Sequence, residues 1–345
     1  MSIDAPSTRM MRETEKYIRA CIRANPDQFK PSNLRSAGYL ALLFALIAGA
    51  SAAVAVWPAA AVPAFVLIGI CQYHLGVAIH EAAHLNLFHP RSLNEVAAHF
   101  LAWLEGFDFP QFRAQHMLHH VHYGTPKDPD WEEYQLRGAR SWRALFARIL
   151  IERCAIGAAW KIFKRNVLPS NQVSAASRKA GLDSRWISFP MIAATQAAVF
   201  LAFAWFTHWW MYFLLWLLPL SIFPTLIAGI RMFGEHGQPG DQQPGSGATV
   251  VQARTGVWNA RAGWSWLGAL ESVTLGAFNF NYHHEHHWFP ALPYHALPRV
   301  HAMLRELGHY EVFSSCYVES YLASGAAILF RDVDADHRAA HVHEA

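Results

Sequence analysis

The apolar residues of this chain gather in four long runs without a single charge, at 37–57, 62–79, 186–207 and 209–230. A run of about 20 such residues is long enough to cross a bilayer as a helix. We therefore expect membrane helices over about 37–57, 62–80, 186–207 and 209–230. Pro58 and Pro63 mark a short turn between the first two, and His208, Trp209 and Trp210 one between the last two. Tryptophan there suits the interfacial belt. Pro219 and Pro224 are expected to kink the fourth run.

Between and around these runs the chain is polar. Residues 1–36 are basic, with an amphipathic helix expected around 13–23. Residues 81–185 are mixed and include a basic amphipathic stretch at 142–165 and a polar linker at 170–181. Such a basic stretch suits either the headgroup region or packing against soluble parts. Residues 237–256 read as a Gly/Pro/Gln loop, and 331–345 as a disordered charged tail. The resulting domain plan is an N-terminal segment 1–36, a membrane domain 37–330 and a tail 331–345.

Charge orients the runs. All 28 Lys and Arg lie in 1–36, 81–185 or 231–345, and the two short turns have none. If each run crosses once, those three regions share one side, and the positive-inside rule makes it the cytoplasm. The expected fold is an all-α integral membrane protein with four transmembrane helices in two hairpins and a cytoplasmic helical cap. The expected location is the inner or cytoplasmic membrane, with both termini and the cap in the cytoplasm.

Composition agrees. The chain of 345 residues is 53% hydrophobic and 15% charged, with 14 Trp and 22 Phe. A net charge of +3 gives no reason to expect nucleic acid. Cys21, Cys71, Cys154 and Cys316 form no CxxC pair and imply no disulfide framework. The N-terminus has no signal-peptide layout.

Histidine is what changes the picture. Asn281-Tyr282-His283-His284-Glu285-His286-His287-Trp288-Phe289-Pro290 holds four histidines in five positions. On a helix, His283, His286 and His287 fall within an arc of roughly 100°, and Glu285 faces away. His116-Met117-Leu118-His119-His120 repeats that i, i+3, i+4 pattern, and His80-Glu81-Ala82-Ala83-His84 places two rings one turn apart. Three boxes thus supply eight imidazoles at ligand spacing. One zinc ion takes about three or four protein ligands, so eight argue for two metals. Imidazole alone does not choose which metal. Glu81, Asp128, Asp130, Glu235 and Glu285 lie near the boxes and are candidate partners of metal-bound imidazoles, although Asp128-Pro129-Asp130 also reads as a plain turn. His74, within a membrane run, reads as a buried hydrogen-bonded histidine.

Box order and spacing resemble the membrane-bound fatty acid desaturase superfamily, over roughly 37–300. HMLHHVHYGTPKDPD and NYHHEHHWFP are similar to the second and third boxes of bacterial members. The resemblance implies a non-haem diiron centre, two Fe ions with O2 as co-substrate. Its ligands would be His80, His84, His116, His119, His120, His283, His286 and His287, with His236 as a further ligand between the last membrane helix and the third box. His284 is extra to the pattern. The implied reaction is desaturation of a fatty acyl lipid, acyl-CoA, acyl-carrier or similar apolar chain. Electrons would come from a separate protein such as a ferredoxin, rubredoxin or cytochrome. The alternatives are a hydroxylase or ketolase of the same superfamily, or a desaturase of a specialised metabolite. A last alternative is an intramembrane zinc protease, because His80-Glu81-Ala82-Ala83-His84 also matches HExxH.

Overall fold

A computed structural model of the chain describes residues 5–123, 127–130, 143, 185–236, 266–309 and 321. The expected basic stretch at 142–165 (save residue 143), the linker at 170–181, the loop at 237–256 and the tail at 331–345 lie outside the described residues. So do the side chains of Glu235 and His236, although their backbone is described.

The described residues are mostly helical and contain no strand. In chain order the helices are α1 (Ala5–Ala24), α2 (Asn33–Val56), α3 (Ala61–Ala83), α4 (Arg91–Leu104) and α5 (Phe109–His122). They continue with α6 (Arg185–Phe206), α7 (Leu218–His236), α8 (Trp266–Thr274), α9 (His283–Trp288) and α10 (Leu297–Glu306). Four stretches are long and apolar enough to cross a membrane: Pro26–Val56, Pro58–Ala83, Ser188–Phe206 and Phe213–Arg231. They match the four uncharged runs, and the first starts earlier than expected. Ser32 caps α2 by accepting from Arg35 N at 3.5 Å, which draws Asn33 and Arg35 into the helix.

Helix α3 is the axis of the molecule. It packs against α2, α4, α5 and α7, and Ile68, Leu75, Ala78 and Ile79 along it are fully buried. Gly69 lets the ring of Phe223 on α7 close onto α3, where a Cβ would collide with it. Small residues serve close approach in this way where lipid supplies no hydrophobic drive between helices. Helix α6 is the opposite case. Only 6% of its apolar stretch is buried, against 61% for α3.

Phe200 and Phe203 pack α6 on Tyr212, and a polar cluster adds to that hold. The Gln196 amide donates to Trp103 O and Leu104 O, at 3.2 and 2.8 Å. Its carbonyl accepts from Tyr212 Oη at 2.9 Å and Trp216 Nε1 at 3.1 Å. One side chain thereby joins α4, α6 and the start of the fourth stretch.

The kink expected in the fourth run takes a specific form. Phe213–Leu217 is a π-helical turn, and α7 begins directly after it with Pro219 in its first turn. Proline lacks an N–H and its ring crowds the carbonyl four residues back, so a register shift there relieves both.

Candidate metal centre

The first box sits where α3 ends. His80 lies in its last turn and His84 is its C-cap, at φ −86 and ψ 2. Leu85 follows in the left-handed region at φ 63. Asn86 N then donates to Glu81 O at 2.9 Å and Leu85 N to Ala82 O at 3.0 Å. That pair of bonds is the Schellman ending, usually built with glycine at the left-handed position. Ala82 O also accepts from Asn94 Nδ2 at 2.9 Å and from an Arg113 guanidinium N–H at 3.2 Å. Arg113 in turn pairs with Glu95 at 2.9 Å. The end of the first box is therefore tied to both α4 and α5.

The second box rides on α5. Asp108 caps that helix, with Oδ1 accepting from Gln111 N at 2.8 Å. Phe109 is fully buried beneath the Arg113 guanidinium, 4.4 Å from its ring centroid. The third box is α9 itself. The chain reaches it through Phe278 and Asn279, both left-handed at φ 52 and 55. Phe278 packs on Tyr39 and Tyr294 at centroid distances of 4.2 and 4.9 Å. Such a conformation costs a β- or ring-bearing residue roughly 1–3 kcal/mol and persists when its surroundings over-determine it. First and third boxes are clamped together by Asn86 Nδ2, which donates to Pro290 O at 2.9 Å and Leu292 O at 2.8 Å. Tyr294 N donates to Glu81 Oε2 at 3.1 Å.

These contacts gather all eight box histidines. In one lobe, His80, His84, His116, His120 and His286 bring a nitrogen each to within 4.8 Å of one another. The Nε2 atom of His116 is 2.7 Å from that of His84 and 3.0 Å from that of His120. His286 Nε2 is 3.3 Å from His120 Nε2. In the other lobe, His287 packs on His119, His283 and Tyr123 at 5.1, 4.4 and 5.3 Å between centroids. The lobes touch through His120 and His287, at 4.3 Å.

The arrangement fits metal better than hydrogen bonding. A neutral imidazole has one N–H donor and one lone-pair acceptor, so a ring N–H of His116 serves one of its two close neighbours. His80 Nε2 is buried and has no hydrogen-bond partner among the described residues. Metal–imidazole bonds of about 2.1 Å place ligand nitrogens around one ion at mutual separations up to about 4.2 Å, close to the spread seen. Burial also favours the neutral form of His84, His116, His120 and His286, the form a ligand needs. Burial, then the charges of Arg113 and His119, push His84 down to about 3. Burial and the neighbouring histidines hold His116, His120 and His286 well below the usual imidazole range.

The carboxylates have distinct places. His119 Nδ1 faces both oxygens of Asp128, each at 3.1 Å, with Asp130 Oδ2 at 3.7 Å. Asp130 N also donates to Asp128 Oδ1 at 2.9 Å, so the segment is both a turn and a histidine partner. Glu81 lies 3.4 Å from His80 Nδ1 and spans toward Tyr294. Glu285 faces away from the lobes, as the helical arc implies, and His301 Nδ1 meets it at 2.6 Å. His284 Nε2 lies 3.1 Å from His309 Nε2. Sequence spacing had no signal for His301 or His309, which stand alone in the chain. His74 is buried with Nδ1 3.0 Å from Tyr39 Oη, as expected.

Four helices able to cross a membrane therefore stand around a histidine cluster that could hold metal. The fatty acid desaturase family model matches residues 55–314, three quarters of the chain and all three boxes, and the chain belongs to that family. Diiron sites are characteristic of it. Two beta-carotene ketolases of Paracoccus are similar over most of their length. That of strain PC1 is 28% identical over 239 residues, 68% of this chain and 77% of the ketolase. That of strain N81106 / MBIC 01143 is 27% identical over 237 residues, 67% and 76%. A Delta(5) fatty acid desaturase of Caenorhabditis elegans is 38% identical over 60 residues, 17% of this chain and 13% of the desaturase. With the family established over all three boxes, the HExxH protease alternative falls away.

Proposed function

We propose that this protein is a membrane-bound non-haem diiron enzyme that uses O2 and two electrons to oxidise C–H bonds of a long apolar chain. Desaturation of a fatty acyl chain is the first reading. The observation that carries it is the convergence of eight box histidines into two adjoining lobes. His80, His84, His116, His120 and His286 would hold one iron. His119, His283 and His287, joined by His236 at the end of α7, would hold the other. Two irons would supply O2 activation. Asp128 would fix the tautomer and ring angle of His119, and the apolar stretches would take up the substrate chain. The four stretches form two hairpins, with the boxes on the cytoplasmic side in keeping with the Lys/Arg distribution.

A second reading is ketolation or hydroxylation, favoured by the two ketolases that align over two thirds of the chain. Expression in a host of known lipids, with a redox partner and O2, followed by mass spectrometry, separates the two. Loss of two hydrogens without gain of oxygen, absent in His286→Ala, supports desaturation. Gain of oxygen in a carotenoid or acyl chain makes the protein a ketolase or hydroxylase.

A further inference from the structure

Helix α1 is sorted by charge more sharply than any requirement of the metal centre explains. Arg9, Arg12, Lys16, Arg19 and Arg23 are all exposed. At roughly 100° per residue they fall within an arc of about 80°. Thr14 and Ile18 lie on the opposite face and are buried, Ile18 completely. That face is sealed into a core with Phe29, Tyr282, Trp288, Phe289 and Leu297. Two of the five cations are engaged within the helix, Arg9 with Glu13 at 2.9 Å and Arg19 with Glu15 at 2.7 Å. Arg12, Lys16 and Arg23 have no ion pair among the described residues. With Glu15 and Arg19 they line a shallow open groove.

We propose that this stripe is the docking surface for the electron donor, and that the donor is an acidic one-electron carrier protein. The proposal rests on the oxidase-type reading above. Desaturation reduces O2 to two waters with four electrons. Two come from the two C–H bonds that become the C=C bond, and two come from the donor together with two protons. Oxygen insertion draws the same two electrons from the donor, with one oxygen atom leaving as water. A one-electron carrier must therefore dock twice per turnover. Fast, reversible association of that kind is what a predominantly cationic surface provides, through steering that weakens with salt.

The stripe lies beside a short path to the centre. The Arg19 guanidinium sits 5.4 Å from the Phe289 ring centroid. Phe289 stacks on Trp288 at 5.3 Å with 23° between planes. The Trp288 ring packs in turn on His284 at 5.8 Å, so two aromatic rings join the stripe to the third box at its face opposite the lobes. The same packing argues against an anionic membrane surface as the occupant. An interfacial helix buries its apolar face in lipid, and here that face is already occupied by α10 and the third-box segment.

The test uses full-length, iron-loaded protein in zwitterionic nanodiscs and a plant-type [2Fe–2S] ferredoxin as probe. The variant is Arg12→Glu, Lys16→Glu, Arg23→Glu, with the corresponding triple Gln variant as a milder second form. Surface plasmon resonance at about 50 mM salt should show the Glu variant's Kd for ferredoxin raised about tenfold or more, and the Gln variant's raised less. Raising salt to about 0.5 M should bring wild type and variants together. Ferredoxin-driven kcat/KM should fall in step with binding. Turnover driven by dithionite and methyl viologen, iron content and Tm should stay at wild-type values. Equal ferredoxin affinity in all three proteins overturns the proposal while the reaction stands. Lost binding to phosphatidylserine vesicles with ferredoxin affinity unchanged overturns it in favour of a lipid surface. No product from wild type with either reductant overturns the reaction reading, and the docking proposal with it.

Discussion

The two faces of α9 carry the same kind of residue and hold different company. On one, His286 and His287 meet rings from α3 and α5 with His283 packed beside them, and the His286 nitrogen approaches that of His120. On the other, His284 meets His309 at 3.1 Å and Glu285 meets His301 at 2.6 Å. Both faces are buried. Burial and residue type therefore do not mark a ligand; what the ring nitrogens face does. One face looks onto the histidine rings of other segments, and the other closes polar groups against each other in pairs.

The comparison breaks most visibly at His286. His286→Ala should cut product formation at least about 100-fold and lower iron per chain, read by mass spectrometry of the metal, because it removes a ring that touches His80, His84 and His120. His284→Ala should leave iron content near wild type. Equal iron loss in the two variants would erase the distinction between the faces. Next comes Asp128→Asn, which keeps shape and removes the charge facing His119; a loss of about 10–100-fold in activity or metal affinity is expected. On the reverse face, His301→Ala takes the 2.6 Å partner from buried Glu285. It should cost about 1–3 kcal/mol of stability, seen as a lower Tm with iron retained.

The last effect is a slope with pH. Burial, then the neighbouring His284, pushes His309 down to about 3 from an ordinary 6.5. Between those values the unfolded chain binds a proton there and the folded one does not. Stability from this group is therefore complete above about pH 6.5 and is lost as pH falls toward 3. The Tm should fall between pH 7 and pH 4, less steeply in His309→Gln than in wild type.

Much of this was legible from residue order. Four uncharged runs named the membrane stretches because charge inside hydrocarbon is costly. The boxes named themselves because i, i+3, i+4 spacing stacks rings on one helical face. The division of eight histidines into two lobes was not legible, since it depends on how three distant segments meet. The sequence plan treated His119 and His120 alike; the structure turns His120 toward His116 and His119 toward Asp128. The clamps that bring the segments together, Asn86, Asn94 and Arg113, are single polar residues with no periodic signature. The left-handed residues Leu85 and Phe278 were equally hidden, because side chains of those types rarely adopt that backbone. His236 was reached by resemblance alone.

Helix α3 also acts as a ruler. From Ala61 to His80 it rises about 29 Å at 1.5 Å per residue, close to a hydrocarbon thickness of about 30 Å. With one end set at the far interface beside Trp57, helix length fixes the height of the first box at the near one. A bilayer a few ångströms thicker or thinner would shift its lipid chains relative to that height, or tilt the helix to compensate. On the proposed oxidation of an apolar chain, the choice of carbon along it would then be partly a property of the membrane, and reconstitution in lipids of graded chain length should shift the product distribution without any change in the protein.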